Sequence, residues 1–199
     1  MSTVRIHGIV LSGVGGQGVL SLAQIVLEAL RRSGFHALQS EIHGMSQRGG
    51  SVQAQVCFAE VPLTSPILDE GSADLLIALE PLEALRHVAM LRPDGHLVAS
   101  EEPSTDMAGY PPLEDIYRAL KAVRGACLLD TEDLARRLRH PQAGGMALLG
   151  MASRHLPVPE AVWQAVITER FAAKGERVIT KNLEAFAAGK GLVPVQAGV

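Results

Sequence analysis

Gly13-Val14-Gly15-Gly16-Gln17-Gly18 stands between a strand-like apolar run, Val4 to Leu11, and a segment, Val19 to Arg32, whose apolar positions 19, 22, 23, 26 and 30 recur at helical spacing. Strand, glycine turn and helix in that order form the Rossmann-like opening of an α/β domain. Glycines 13, 15 and 18 fit the G-x-G-x-x-G spacing, in which missing Cβ atoms permit a tight turn and a close approach of helix to sheet. The same turn leaves backbone N–H groups free to meet a phosphate at the positive end of the helix. Gly13, Gly15, Gly16, Gln17 and Gly18 are therefore candidate contacts to a nucleotide-like or phosphate-bearing ligand. The competing reading is that the glycines only let the helix pack closely.

Working outward, the helix is expected to stop at Ser33-Gly34, with Arg31 and Arg32 complementing the negative end of its dipole and Gly34 left-handed. Phe35 to Glu41 reads as a second strand. Glu41 lies 23 residues beyond Gly18, near the offset at which dinucleotide-binding folds place the acid that holds a ribose hydroxyl. Only nine residues, Ile42 to Gly50, then precede a third strand, Ser51 to Ala59. A parallel crossover needs about a dozen residues or more, so these strands should be antiparallel or not adjacent, and the sheet mixed.

The connecting run Glu41-Ile42-His43-Gly44-Met45-Ser46-Gln47-Arg48-Gly49-Gly50-Ser51 concentrates polar groups on a glycine-rich loop, at the same rim of the sheet as the glycine turn. Arg48 beside Gly49 and Gly50 is suited to grip a carboxylate or phosphate on two prongs. His43, Gly44 and Gln47 are further candidates, although a lone histidine is more often a hydrogen-bonded loop residue than a base or ligand. The alternative for the whole loop is packing on its own sheet or on a partner chain.

Farther along, Ala73 to Leu79 is a continuous apolar strand of central character, followed by Glu80-Pro81 and a helix, Leu82 to Leu91. Glu80 either lines a site or serves the helix N-terminus. Arg92-Pro93-Asp94-Gly95 reads as a turn before a strand, His96 to Ser100. Glu101 to Pro112 reads as a surface connection, Leu113 to Val123 as a helix, Ala126 to Leu129 as a short strand and Leu134 to Leu138 as a helix capped by preceding acids. From Gly144 the pattern is helical, over 146–155, 159–173 and 178–188.

The 199 residues, 47% hydrophobic but only 4% aromatic, suit one domain spanning 1–199, with a core of aliphatic strands under helices and a helical C-terminal segment from about 144. The fold class expected is three-layer α/β/α with a mostly parallel, mixed sheet. A net charge of −3 with scattered Lys and Arg argues against a nucleic-acid partner. No apolar run approaches membrane-spanning length and the start lacks signal-peptide character, so a cytoplasmic protein without a membrane partner is expected. Cys57 and Cys127 are too few to ligate an iron-sulfur cluster and read as buried free thiols.

The glycine turn, the run Glu41 to Ser51, Leu79-Glu80-Pro81-Leu82-Glu83-Ala84-Leu85 and Asn182-Leu183-Glu184-Ala185-Phe186-Ala187-Ala188-Gly189 together resemble the gamma-type subunits of 2-oxoacid:ferredoxin oxidoreductases. Within that family the likeness is greatest to the beta subunits of indolepyruvate enzymes. The resemblance spans nearly the whole chain, and the loop motif is its most specific part. It implies oxidative decarboxylation of an aryl 2-oxoacid with coenzyme A to acyl-CoA, with electrons passing to ferredoxin. It also implies a large partner subunit carrying thiamine diphosphate and the iron-sulfur clusters, no cofactor bound on this chain alone, coenzyme A at the glycine rim, and no activity without the partner. The family often carries an asparagine ahead of a pair like Leu149-Gly150, where this chain has Gly144-Gly145-Met146. Two other functions compete: a Rossmann-type oxidoreductase holding NAD through Glu41, and an assembly or regulatory subunit whose loop makes only protein contacts.

Overall fold

The first strand, β1 (His7–Val14), is buried over all but its first residue, as befits a strand covered on both faces. The remaining elements of the computed structural model, which describes residues 5–43, 50–104 and 109–192, follow in order. They are α1 (Val19–Arg32), β2 (His36–His43), β3 (Ser51–Ala59), β4 (Ala73–Ala78), α2 (Pro81–His87), β5 (Leu91–Ser100), α3 (Leu113–Lys121), β6 (Ala126–Leu129), α4 (Thr131–Leu138), α5 (Ala143–Ala152), α6 (Glu160–Phe171) and α7 (Glu176–Gly191).

The six strands lie in the order β2-β3-β1-β4-β5-β6. β3 runs antiparallel to both β2 and β1, while β1, β4, β5 and β6 are mutually parallel. The sheet is thus mixed in the way the short connection between the second and third strands requires. One face carries α1 and α4 to α7 over a core that includes Leu11, Val26, Ile77, Leu149 and Trp163. The other carries α2 and α3 over Val10, Leu76, Leu97 and Leu120. That is the three-layer arrangement expected.

Three expected spans differ: α2 ends at His87 and Leu91 already belongs to β5, and two further departures have local reasons. β1 starts and ends three residues later than the apolar run suggests, because Gly13 and Val14 still pair with Val52 and Ser51 before the turn begins. Arg92 to Gly95 is no turn but part of β5. β6 pairs with β5 only from Leu97 onward, so Pro93 lies where a strand has one neighbour and a missing N–H is tolerated. The end of α1 is as read: Gly34 has φ 92° and the Arg31 guanidinium donates twice to the Ala37 carbonyl.

The C-terminal helices pack unusually close. A Cβ at Gly150 of α5 would overlap the Phe186 carbonyl, and one at Gly189 of α7 would overlap the Ala147 carbonyl. Backbone therefore meets backbone at this crossing, which only glycine allows.

Candidate functional site

β1 and β4 are parallel neighbours whose following helices leave to opposite faces, which makes the rim above them a topological switch point of the kind where α/β folds bind ligands. The glycine turn sits there. Gly16 and Gly18 have φ of 104° and 91°, a region in which a side chain would be strained. Gly13 serves packing, since a Cβ there would lie 2.9 Å from Val19 Cγ2 and 3.1 Å from Leu79 Cβ. The Gln17 side chain folds back across the turn and accepts from Val14 N at 2.8 Å. Gly18 caps α1 without a side-chain hydrogen bond, and the first turn contains no acid, so the positive end of the helix stays open.

That open end faces a cavity of about 860 Å³. Its walls are Gly16, Gln17, Gly18 and Ser21 from the turn and α1, Ser100 at the end of β5 and Glu102 beyond it, Thr131, and Gly144 and Gly145 of α5; α5 too begins without a side-chain cap or an early acid. Arg139, Lys174, Arg177 and Lys181 add four cations against one carboxylate, Glu102. Lys181 is engaged, donating to the Leu138 carbonyl at 2.8 Å. Arg139, Lys174 and Arg177 make no ion pair among the described residues, and Lys174 lies 5.6 Å from the Phe171 ring centroid. Arg139 adopts a left-handed φ of 49°, a conformation that a non-glycine residue holds at a cost. His140 also lines the cavity, its pKa lowered first by burial and then by Lys181.

Across the sheet, the start of α2 is closed. Glu80, fully buried, caps the helix by accepting from Glu83 N at 2.8 Å, and also accepts from Tyr110 Oη at 2.5 Å and Ser104 N at 3.2 Å. Burial and then the Glu80 carboxylate push the Tyr110 phenol up, so the tyrosine keeps its proton and donates. Glu83, equally buried, accepts from Ser51 Oγ at 2.5 Å and Arg86 Nη1 at 2.6 Å, with His87 Nε2 at 3.7 Å. Burial alone would raise its carboxyl; the hydrogen-bonding and charged neighbours outweigh it and hold the group below the ordinary carboxylate value.

Of the residues picked from sequence, Gly16, Gln17 and Gly18 line the cavity, and Gly15 N donates to Gly50 O at 2.9 Å, joining the glycine turn to the end of the loop. Glu80 takes the capping alternative. Glu41 is exposed on the edge strand, accepts from Gln39 Nε2 at 2.7 Å, and pairs through its backbone with Ala54. Because β3 occupies the place beside β1, Glu41 is a full strand removed from where a dinucleotide fold puts its ribose acid. His43 pairs with Val52 at the end of β2. Gly44, Gln47, Arg48 and Gly49 lie outside the described residues. Sequence reasoning missed Glu102, Arg139, Lys174, Arg177 and Lys181. Arg177 and Lys181 are four apart on α7 and so share a helical face, a signal that was available.

A family model described as pyruvate ferredoxin/flavodoxin oxidoreductase matches residues 8–192. The indolepyruvate oxidoreductase subunit IorB of Methanothermobacter thermautotrophicus is 33% identical over 93% of this chain and 96% of its own. The subunit of the same name from Thermococcus kodakarensis is 33% identical over 92% and 94%. Among solved structures, the gamma subunit of a keto/oxoacid ferredoxin oxidoreductase from Geobacter sulfurreducens superposes with a TM-score of 0.68 at 22% identity, covering 92% of this chain and 95% of that one. The 2-oxoglutarate:ferredoxin oxidoreductase of Magnetococcus marinus, solved with 2-oxoglutarate, coenzyme A and succinyl-CoA bound, gives 0.74 at 22% identity. This chain is covered over 94% but spans 30% of that longer one.

Proposed function

The chain belongs to the pyruvate ferredoxin/flavodoxin oxidoreductase family, and from that premise we propose that it is the small subunit of an indolepyruvate:ferredoxin oxidoreductase whose cavity takes the phosphate-bearing end of coenzyme A. The reaction of the complex is R-CO-COO⁻ + CoA-SH giving R-CO-S-CoA, CO₂, one proton and two electrons, the electrons reducing ferredoxin. The large partner subunit brings thiamine diphosphate for decarboxylation and iron-sulfur clusters for electron transfer. This chain's thiols do not suit a cluster: Cys57 and Cys127 are buried on opposite faces of the sheet, and burial pushes Cys57 up to about 11. Free buried thiols fit the cytoplasm.

The observation that carries the ligand assignment is the convergence of an open helix end, left-handed glycines and three cations without an ion pair among the described residues on one cavity large enough for a nucleotide. Oriented backbone N–H groups meet phosphate oxygens and the cations offset their charge, which fixes coenzyme A while its thiol reaches toward the partner. Gly50 is hydrogen-bonded to the glycine turn through Gly15 N, and we assign the polar sequence between His43 and Gly50, with Gln47 and Arg48, the role of completing the grip or sealing the partner.

The test is reconstitution. Co-expressed with the large subunit of its own genome, the chain should support aryl 2-oxoacid- and coenzyme A-dependent reduction of a viologen dye. Arg177→Ala should raise the coenzyme A KM about tenfold, the value of one charge-assisted contact, and leave the 2-oxoacid KM alone. An unchanged coenzyme A KM sinks the ligand assignment; loss of assembly with Arg48→Ala assigns the loop to the partner interface.

A further inference from the structure

One carboxylate stands in a cavity otherwise built for anions. Glu102 Oε2 accepts from Thr131 Oγ1 at 3.1 Å, the two buried hydroxyls of Thr131 and Ser100 are 2.7 Å apart, and Glu102 N donates back to Ser100 Oγ at 2.9 Å. These bonds close a ring: Ser100 hydroxyl to Thr131, Thr131 hydroxyl to Glu102, Glu102 amide to Ser100. Ser100 and Thr131 are only 1% and 3% exposed, so the ring is anchored in packed structure at the ends of β5 and β6. Gly144 packs directly on Thr131, where a Cβ would approach to 3.0 Å.

Glu102 forms no ion pair among the described residues, although Arg139, Lys174 and Arg177 share its cavity. Neutral hydroxyls therefore orient it, one oxygen is committed to Thr131, and the other has no hydrogen-bond donor among the described residues. A carboxylate held so repels phosphate and accepts from a hydroxyl or amino group. We propose that Glu102 is the specificity-determining residue of the cavity: it accepts a hydrogen bond from the sugar hydroxyl or base amino group of a nucleotide, and so selects a nucleotide-bearing ligand over bare polyphosphate. The inference rests on the reading that this cavity holds the nucleotide end of coenzyme A, and it adds what distinguishes that end from any other polyanion. Selection comes from both terms at once, since the nucleotide gains a bond to a charged acceptor and a polyphosphate meets a like charge, weakened by solvent because Glu102 is exposed.

The two terms have opposite signs, which makes them separable. In the assembled complex, titration calorimetry with adenosine 3′,5′-bisphosphate and with inorganic pyrophosphate should give two responses to Glu102→Ala. The nucleotide should bind about tenfold or more weakly, the loss of a hydrogen bond to a charged group. Pyrophosphate should bind about two- to fivefold more tightly, because a screened like charge has gone. Glu102→Gln, which keeps an acceptor oxygen without charge, should restore most of the nucleotide affinity and behave like Glu102→Ala toward pyrophosphate. Arg177→Ala, as a marker of the cavity, should weaken both probes. A Glu102→Ala variant that weakens both probes together, or changes neither, overturns the selective role and leaves the cavity assignment standing. Wild-type complex that binds neither probe overturns both.

Discussion

The two helices that begin at the switch point, α1 and α2, treat the positive ends of their dipoles in opposite ways. α2 is closed by its own chain: Glu80 caps it from a fully buried position and Glu83 sits in its first turn, each satisfied by named donors. α1 has a glycine for a cap, no side-chain hydrogen bond and no acid in its first turn. Both helices carry the same partial charge, about half a unit, at that end. Where the chain neutralises that charge itself, it has made a structural joint; where the charge faces a cation-lined cavity, it is left for the anion of the proposed ligand. Chain topology alone makes the two flanks equivalent candidates, and capping separates them.

The largest expected effect falls on the closed side. Glu80→Ala strands three donors, Glu83 N, Ser104 N and Tyr110 Oη, and should lower the unfolding free energy by about 2–4 kcal/mol. Urea denaturation checks it, and a loss below about 1 kcal/mol would mean that α2 does not depend on its buried cap.

Next comes the pH dependence of the same flank. Glu83 has a folded pKa below its unfolded one, about 4.3 for a free glutamate, so its contribution is fully present above that value and is lost as pH falls through the lower folded value. Between about pH 5 and pH 3 the urea midpoint of the wild type should therefore fall more steeply than that of Glu83→Gln, which has no proton to take up. Parallel slopes would show that the Ser51, Arg86 and His87 contacts do not favour the ionised form.

The smallest effect is on the open side and has two signs. Ser21→Asp puts an acid in the uncapped first turn of α1, beside Arg170, whose Nη2 already donates to Ser21 Oγ at 3.1 Å. It should raise stability by about 0.3–1 kcal/mol. The same change should raise the coenzyme A KM of the reconstituted complex about two- to fivefold, because the helix end is then neutralised from within. If stability rises and the KM stays put, α1 is not where the ligand's phosphates sit.

Much of the frame was legible because it depends on local pattern. The spans of α1, β3 and β6 follow from periodicity and turn residues, and the antiparallel course of β3 follows from the length of a connection too short for a crossover. Glu80 was recognised with its capping role as one of two options. Arg92 to Gly95 was misread because Pro-Asp-Gly is turn chemistry until one knows that β6 leaves that half of β5 unpartnered. The cavity wall was invisible for a different reason. Arg139 ends α4, Lys174 precedes α7, and Arg177 and Lys181 lie on α7 itself, so charges scattered along the chain converge only after α4, α5 and α7 have packed. The Ser100–Thr131–Glu102 ring likewise joins residues some thirty positions apart through the register of two adjacent strands.

The backbone contact between α5 and α7 has a mechanical consequence. At about 1.5 Å of rise per residue, Lys181 lies roughly 12 Å and Arg177 roughly 18 Å along α7 from Gly189. α7 is thus fixed at one end where Gly150 and Gly189 let two main chains touch, and its other end carries cations that line the cavity. One methyl group at that contact would wedge the helices apart and swing the other end by a comparable distance or more. The width of the cavity is in this sense calibrated by two absent side chains where α5 and α7 cross.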